Sequence, residues 1–119
     1  MSITLFVPVK LVSELNMHEH WRVRWRRRTQ QSGAVIHALT FFEGRRQASV
    51  PLHIILTREG GNKLDSDNLA SCFKAVRDGI ARYYGVDDGD ETKLTFAYKQ
   101  RSGGRCRGCE ITIEAREAA

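Results

Sequence analysis

Residues 68–84 constrain the fold of this 119-residue chain most, because their pattern predicts an amphipathic helix together with its end. Apolar side chains recur at steps of three and four residues, the spacing that lines one helical face: Leu69, Phe73, Val76, Ile80 and Tyr83. Polar residues fall on the opposite face: Asp67, Ser71, Lys74 and Asp78. Gly85 suits the left-handed conformation that terminates many helices. The segment therefore predicts one helix that packs by one face and ends near Tyr84.

Carboxylates flank this predicted helix on both sides. Asp65 and Asp67 precede it, and residues i and i+2 of an extended chain point to the same side. Asp87, Asp88 and Asp90 follow it in a turn, where like charges repel unless a cation neutralises them. Carboxylate oxygens suit Mg²⁺ or Mn²⁺ better than zinc. One interpretation is that Asp67 is the N-cap of the helix and that the later aspartates are ordinary turn residues. The presence of two clusters around one helix favours the other interpretation, a metal site.

The chain has a formal net charge of +5, and arginines cluster at residues 22–28, within its first third. Five arginines lie on several faces of a long helix predicted over residues 17–42: Arg22, Arg24, Arg26, Arg27 and Arg28. Because they share no single face, no single salt-bridge partner explains them. A solvated basic helix is one interpretation. The other, favoured by the aspartates, is binding of nucleic-acid phosphates through bidentate guanidinium contacts.

The remaining pattern predicts four strands and a second helix. Alternating or continuous apolar residues indicate strands at 2–10, 50–57, 94–100 and 110–116. The long helix is predicted to be capped by Asn16 and to bury a stripe of apolar residues: Trp21, Trp25, Val35 or Ile36, Leu39 and Phe42. A glycine-rich basic loop at 101–108 suggests that the last two strands form a hairpin. The order β-α-β-α-β-β predicts an α+β fold, a small two-layer sandwich with a mixed sheet covered by two helices, in a single domain over 1–119.

Cysteine usage and the N-terminal segment bear on the compartment. Three cysteines, an odd number, argue against a disulfide framework. Cys106 and Cys109 form a CxxC pair without further ligands at zinc spacing, so we interpret them as incidental, and Cys72 as a small core residue. The first residues lack signal-peptide features and no segment is apolar enough for a membrane helix. We therefore expect a cytoplasmic protein without membrane contact.

Three motifs resemble the RusA-like crossover-junction endodeoxyribonucleases, a family of Holliday-junction resolvases. They are Asp65-Ser-Asp67-Asn-Leu, then Lys74-Ala-Val-Arg-Asp-Gly-Ile, then Gly-Val-Asp-Asp-Gly-Asp ending at Asp90. The match is firm over residues 63–90. In that family, aspartates at the centre of a homodimer hold Mg²⁺. A catalytic lysine lies one helical turn after the second aspartate, where this sequence has Ser71.

The resemblance implies a Mg²⁺-dependent nuclease that acts on branched DNA, the four-way junction, as a homodimer. It implies Asp65, Asp67 and Asp88 as metal ligands and catalytic residues, with Asp87 and Asp90 as alternatives for the third position. Lys74, on the same helical face as Ser71, is the candidate for the catalytic lysine. The five arginines of the predicted first helix and Lys63 are candidate DNA-binding residues. A non-catalytic DNA-binding module with a decayed acidic site and a nuclease for flaps or other branched substrates remain alternatives.

Overall fold

Four strands and three helices form the part of the chain that the computed structural model describes, residues 2–15, 17–44 and 49–116. In chain order they are β1 (Ser2–Val7), α1 (Trp21–Glu43), β2 (Leu52–Gly61), α2 (Ser66–Cys72), α3 (Lys74–Tyr84), β3 (Leu94–Arg101) and β4 (Gly103–Ala115). The predicted α+β class with one mixed sheet is confirmed. Across these residues, no helix combines the length and the apolar character needed to cross a membrane.

The sheet has the strand order β1-β4-β2-β3. β3 pairs in parallel with β2, as a strand–helix–strand connection requires, and β4 is antiparallel to both β1 and β2. The predicted hairpin of the last two strands is therefore wrong. After β3 the chain crosses the end of β2, where Gly103 pairs with Gly61. β4 then pairs with the edge of β2 opposite to β3. This route places β4 between two strands and buries Ile111 and Ile113.

The core lies between one face of the sheet and the helices. Each strand contributes alternate residues to this face, and because the register aligns them they form one continuous apolar surface. The strand residues buried there include Leu5, Val7, Leu52, Ile54, Leu56, Leu94, Ile111 and Ile113. Helical side chains close the core from the other side: Val35, Leu39, Leu69, Phe73, Val76 and Ile80. The apolar stripe predicted for residues 68–84 is thus the stripe that packs, except that Tyr83 is only half-buried.

The predicted single helix over 68–84 is interrupted at Phe73. This residue has φ −98° and ψ 3°, so it ends α2 and precedes α3. Its ring is fully buried and stacks on Tyr98, with the ring centroids 5.5 Å apart. The apolar spacing continues across the break, which is why the sequence pattern did not reveal it. The predicted end is confirmed, since Gly85 adopts the left-handed conformation with φ 69° and ψ 34°.

The buried residues of α1 all lie from its middle onward: Gln31, Ser32, Val35 and Leu39. Val35 and Leu39 are fully buried, as predicted, but Trp21 and Trp25 are 65% and 63% exposed. Phe42 is also exposed. The prediction of a buried tryptophan stripe is wrong, because the rest of the fold buries no side chain in the first turns of α1. The helix begins after His20, whose Nδ1 accepts a hydrogen bond from Arg22 N at 3.1 Å. The predicted cap, Asn16, lies outside the described residues.

Candidate functional site

Asp65 is the N-cap of α2. Its Oδ1 accepts hydrogen bonds from the backbone N and from Nδ2 of Asn68, both at 2.9 Å. These two donors favour the charged form and hold the pKa of Asp65 below its ordinary value. Asp67 lies in the first turn of the helix and is exposed. The capping role that one interpretation gave to Asp67 therefore belongs to Asp65, which leaves Asp67 as the aspartate directed to solvent.

The segment before α2 is anchored to the end of β3. Gln100 accepts a hydrogen bond from Leu64 N through Oε1, at 2.9 Å, and donates one to Leu64 O through Nε2, at 2.8 Å. On the other side of the segment, the hydroxyl of Ser13 bonds to Asn68. These contacts fix the start of α2, and with it both aspartates of the first cluster, relative to the sheet.

The second acidic cluster forms a turn stabilised by its own side chains. Asp87 Oδ1 accepts a hydrogen bond from Gly89 N at 3.0 Å. Asp90 Oδ1 accepts bonds from Thr92 N at 3.1 Å and from Thr92 Oγ1 at 2.5 Å, and the threonine hydroxyl is the main cause of the lowered pKa of Asp90. Asp87 and Asp90, the alternatives for the third metal ligand, therefore have the role of turn residues in this arrangement.

Asp88 differs from its neighbours because it is paired with Arg77 of α3. Arg77 Nη2 lies 3.6 Å from Asp88 Oδ2 and donates a hydrogen bond to Asp88 O at 3.1 Å. Arg77 Nη1 donates to Tyr98 Oη at 2.8 Å, and the guanidinium lies 4.5 Å from the centroid of the Phe96 ring. These groups line a cavity of about 320 Å³ beside β3. The turn is thus attached to the sheet through Arg77.

Both acidic segments are attached to the same face of β3. Tyr98 bonds to Arg77, which pairs with Asp88, and Gln100 bonds to Leu64, the residue before Asp65. Residues two apart in a strand lie on one face, roughly 7 Å apart. The structure therefore directs two segments that are separated by two helices toward neighbouring positions of one strand.

The carboxylates do not form a metal centre in this arrangement. In the part of the chain that the structure describes, no three His, Cys, Asp or Glu side chains are grouped so that they could hold an ion. The all-oxygen donor set of Asp65, Asp67 and Asp88 has the chemistry that Mg²⁺ prefers. The positions are less suitable, because Asp65 is engaged by Asn68 and Asp88 by Arg77.

Ser71 lies where the resolvases that the motifs resemble have a catalytic lysine. Ser71 Oγ accepts a hydrogen bond from Glu14 N at 3.4 Å and is half-buried. Lys74 is exposed at the first residue of α3, and Lys63 is exposed before α2. Arg77 pairs with Asp88 of the second acidic segment, and it was not among the predicted site residues. Arg77 lies about one helical turn after Lys74, within the motif that begins at Lys74, and this position could have identified it as a site residue.

Three of the five arginines predicted to bind DNA are ion-paired. Arg27 donates to Glu14 Oε2 from Nε at 3.0 Å and also pairs with Glu19. The bond to Glu19 is the main cause of the raised pKa of Arg27. Arg28 pairs with Glu14 at 2.7 Å, and Arg24 lies 3.7 Å from Glu19. Two glutamates therefore pair with three of the five arginines, and these pairs attach the segment before α1 to the helix.

The other two arginines of this group, Arg22 and Arg26, are exposed. The guanidinium of Arg22 lies 5.5 Å from the centroid of the Trp21 ring, where it remains accessible to a ligand. No ion pair involves either side chain within residues 2–15, 17–44 and 49–116. Of the five candidates, these two are the cations available for phosphate.

The cysteines are reduced, and two of them belong to the core. Cys72 and Cys109 are buried, and Cys106 is half-buried against the same cluster. Burial raises the pKa of Cys72 to about 12, and it also raises the pKa of Cys109. Buried neutral thiols are poor nucleophiles and poor metal ligands. The interpretation of Cys72 as a small core residue agrees with this environment.

No protein-family model matches the chain, and a search of curated proteins found no match.

Proposed function

We propose that this chain is a Mg²⁺-dependent, structure-selective endodeoxyribonuclease that resolves four-way DNA junctions in recombination and repair. The main support is the attachment of both acidic segments to adjacent positions on one face of β3, through Gln100 and Tyr98. The resemblance of residues 63–90 to the RusA-like resolvases gives the reaction class. The exposed arginines of α1, Arg22 and Arg26, favour a polyanionic partner.

The proposed metal ligands are Asp65, Asp67 and Asp88, and Mn²⁺ would be accepted by the same oxygens. Bound there, Mg²⁺ would neutralise charge on phosphate oxygens and lower the pKa of a water molecule. Joint ligation requires Asp88 to exchange its contact with Arg77 for the ion. Arg77 would then be released toward the substrate. This makes Arg77, beside Lys74, a second candidate for the cation that stabilises negative charge on the phosphate.

Junction resolution also requires two symmetric cuts. A dimer with twofold symmetry presents two equivalent sites at a fixed distance, so the proposal includes a homodimer. Size-exclusion chromatography with light scattering would measure the mass directly. A monomer at every concentration, with and without DNA, would contradict paired cleavage.

The direct experiment is cleavage of a synthetic four-way junction with Mg²⁺ or Mn²⁺. We expect the wild-type chain to nick opposing strands and Asp67→Asn to bind the junction without nicking it. Glu114→Gln removes one carboxylate from β4, which is separated from β3 by β2, and is the matched control, so it should cut like the wild type. Equal cleavage by Asp67→Asn and Glu114→Gln would contradict the proposed site.

A non-catalytic DNA-binding module is the second candidate. It is favoured by the local bonds of Asp65, Asp87 and Asp90 and by the hydroxyl of Ser71 at the lysine position. Tight junction binding without cutting under either metal would support it. Cleavage of a flap or a linear duplex in preference to the junction, at one salt concentration, would instead support a nuclease of other specificity.

A further inference from the structure

Two cavities meet at the segment that leaves β1. One, of about 520 Å³, lies between this segment and α1 and is lined by Val9, Lys10 and Arg26 among others. The second, of about 500 Å³, lies between the same segment and the first half of β4 and is lined by Arg105 and Arg107. Residues 8–10 form a wall of both cavities. We call the combined feature the basic groove, defined by Pro8, Val9, Lys10, Arg26, Arg105 and Arg107.

The fold holds the segment between the two cavities in place. β1 ends at Val7, before Pro8, which lacks an N–H for the ladder. Lys10 O then accepts a hydrogen bond from Nε2 of the buried Gln31, at 2.6 Å, which attaches the segment to α1. A Cβ on Gly108 would lie 2.4 Å from Val7 O, so the absence of a side chain there lets β4 approach closely. Arg107 therefore lies directly against the segment.

The charge of the basic groove is unbalanced. Lys10, Arg26, Arg105 and Arg107 are all exposed. No carboxylate lines either cavity, and no ion pair involves these four side chains, in the ranges that the structure describes. Neighbouring arginines are neutralised instead, because Arg27 pairs with two glutamates and Arg101 pairs with Glu59 and Glu110. Unpaired cations gathered without a counter-charge favour a polyanionic ligand.

We infer that the basic groove binds the sugar-phosphate backbone of one DNA arm. This inference rests on the proposed function, since it takes DNA as the partner. The cations are distributed along two adjoining cavities, which suits a chain of repeated phosphates better than one small anion. Pro8, Val9 and Val23 form the apolar part of the wall, against which sugar faces can pack. Such contacts are independent of base sequence and position the DNA.

Salt dependence of binding provides the test. Affinity for a four-way junction is measured in EDTA over a range of salt concentrations, so that cleavage is not needed. Each lost phosphate contact on duplex DNA reduces the magnitude of the slope of log affinity against log salt by about 0.9. Arg105→Gln with Arg107→Gln should therefore reduce the slope by about 2. Arg101→Gln with Arg116→Gln removes the same charge outside the groove and should leave the slope near that of the wild type.

The outcomes separate this inference from the proposed function. A smaller slope in the groove double variant alone supports the groove, even if no variant cuts DNA with Mg²⁺. Equal slopes in the two double variants would overturn the groove as a DNA contact while leaving the nuclease proposal intact. A changed oligomeric mass with an unchanged slope would assign the groove to a second copy of the chain and also overturn the inference. Unaltered circular dichroism of each variant establishes that it is folded.

Discussion

Arg77 Nη2 lies 3.6 Å from the carboxylate of Asp88, and the same guanidinium donates to Tyr98 at 2.8 Å. This residue therefore attaches the acidic turn to β3 by hydrogen bonds from a charged donor. Arg77→Met removes them while retaining an unbranched apolar stem over Phe96. We expect a loss of about 2 kcal/mol in the free energy of unfolding, measured with urea.

Tyr98→Phe measures the contribution of the Arg77–Tyr98 hydrogen bond separately from that of the contacts with Asp88. It removes only the hydroxyl that accepts from Arg77 and keeps the ring stacked on Phe73. The expected loss is about 1 kcal/mol. If the arginine and tyrosine variants both unfolded at the wild-type urea concentration, the link between the turn and β3 would not contribute to stability.

Two glycines within helices should respond in opposite directions to substitution by alanine. A Cβ on Gly79 would lie 2.9 Å from Ser32 O and 3.1 Å from Ser32 Cα, so Gly79→Ala must separate α1 from α3. We expect a loss of about 2 kcal/mol. Gly33→Ala, in α1, meets no atom within 4 Å and should stabilise by about 0.5 to 1 kcal/mol through helix propensity. Thermal unfolding of both variants measures the contrast, and a shift of the same sign in both would contradict the observed packing.

Glu14 lies outside the helices and strands but connects the segment before α1 to the helix through two arginines. Its carboxylate is nearly buried and accepts hydrogen bonds from Arg27 and Arg28. Glu14→Gln should lower the free energy of unfolding by about 2 kcal/mol, because the negative charge is lost and one of the two accepting oxygens becomes an NH2 group. Glu91→Gln removes the same charge at an exposed position and should change it by less than about 0.5 kcal/mol. Chemical unfolding of the two variants side by side would show the difference.

The lowered pKa of Asp65 makes part of the stability dependent on pH. The folded pKa is below the ordinary value of 3.8, so the stabilising contribution is present above that value. It is lost as the pH falls through the folded pKa. Asp65→Asn keeps an acceptor at the N-cap but removes the charge. We expect the wild type to be the more stable form at about pH 7 and the difference to shrink at about pH 2.5.

Urea unfolding of the wild type and Asp65→Asn at both pH values measures this change. Asp78→Asn, which removes one charge from α3 without altering the cap, controls for net charge. A difference between wild type and Asp65→Asn that stayed constant with pH would show that the bonds from Asn68 do not favour the charged form.

Local features of the fold could be predicted from the sequence where one residue determines them. Gly85 ends α3 because of its conformational freedom, as its position predicted. The apolar stripe from Leu69 to Ile80 also identified the packed face. Each of these predictions depends on neighbours in the chain alone.

The missed features depend on partners that are distant in sequence. The break at Phe73 coincides with its stacking on Tyr98, and spacing alone cannot reveal that contact. The exposure of Trp21 and Trp25 depends on which part of α1 the rest of the fold covers. In the candidate site, the acidic segments were recognisable, but their attachment through Arg77 and Gln100 requires β3 to be in place.

The position of β4 between β1 and β2 has a consequence for synthesis on the ribosome. Neither of the earlier strands pairs with the other, so they have no common partner until residues 103–115 have emerged. We therefore expect nascent chains that stop before this segment to expose apolar strand faces and to need protection by chaperones. The last strand to be made completes the sheet.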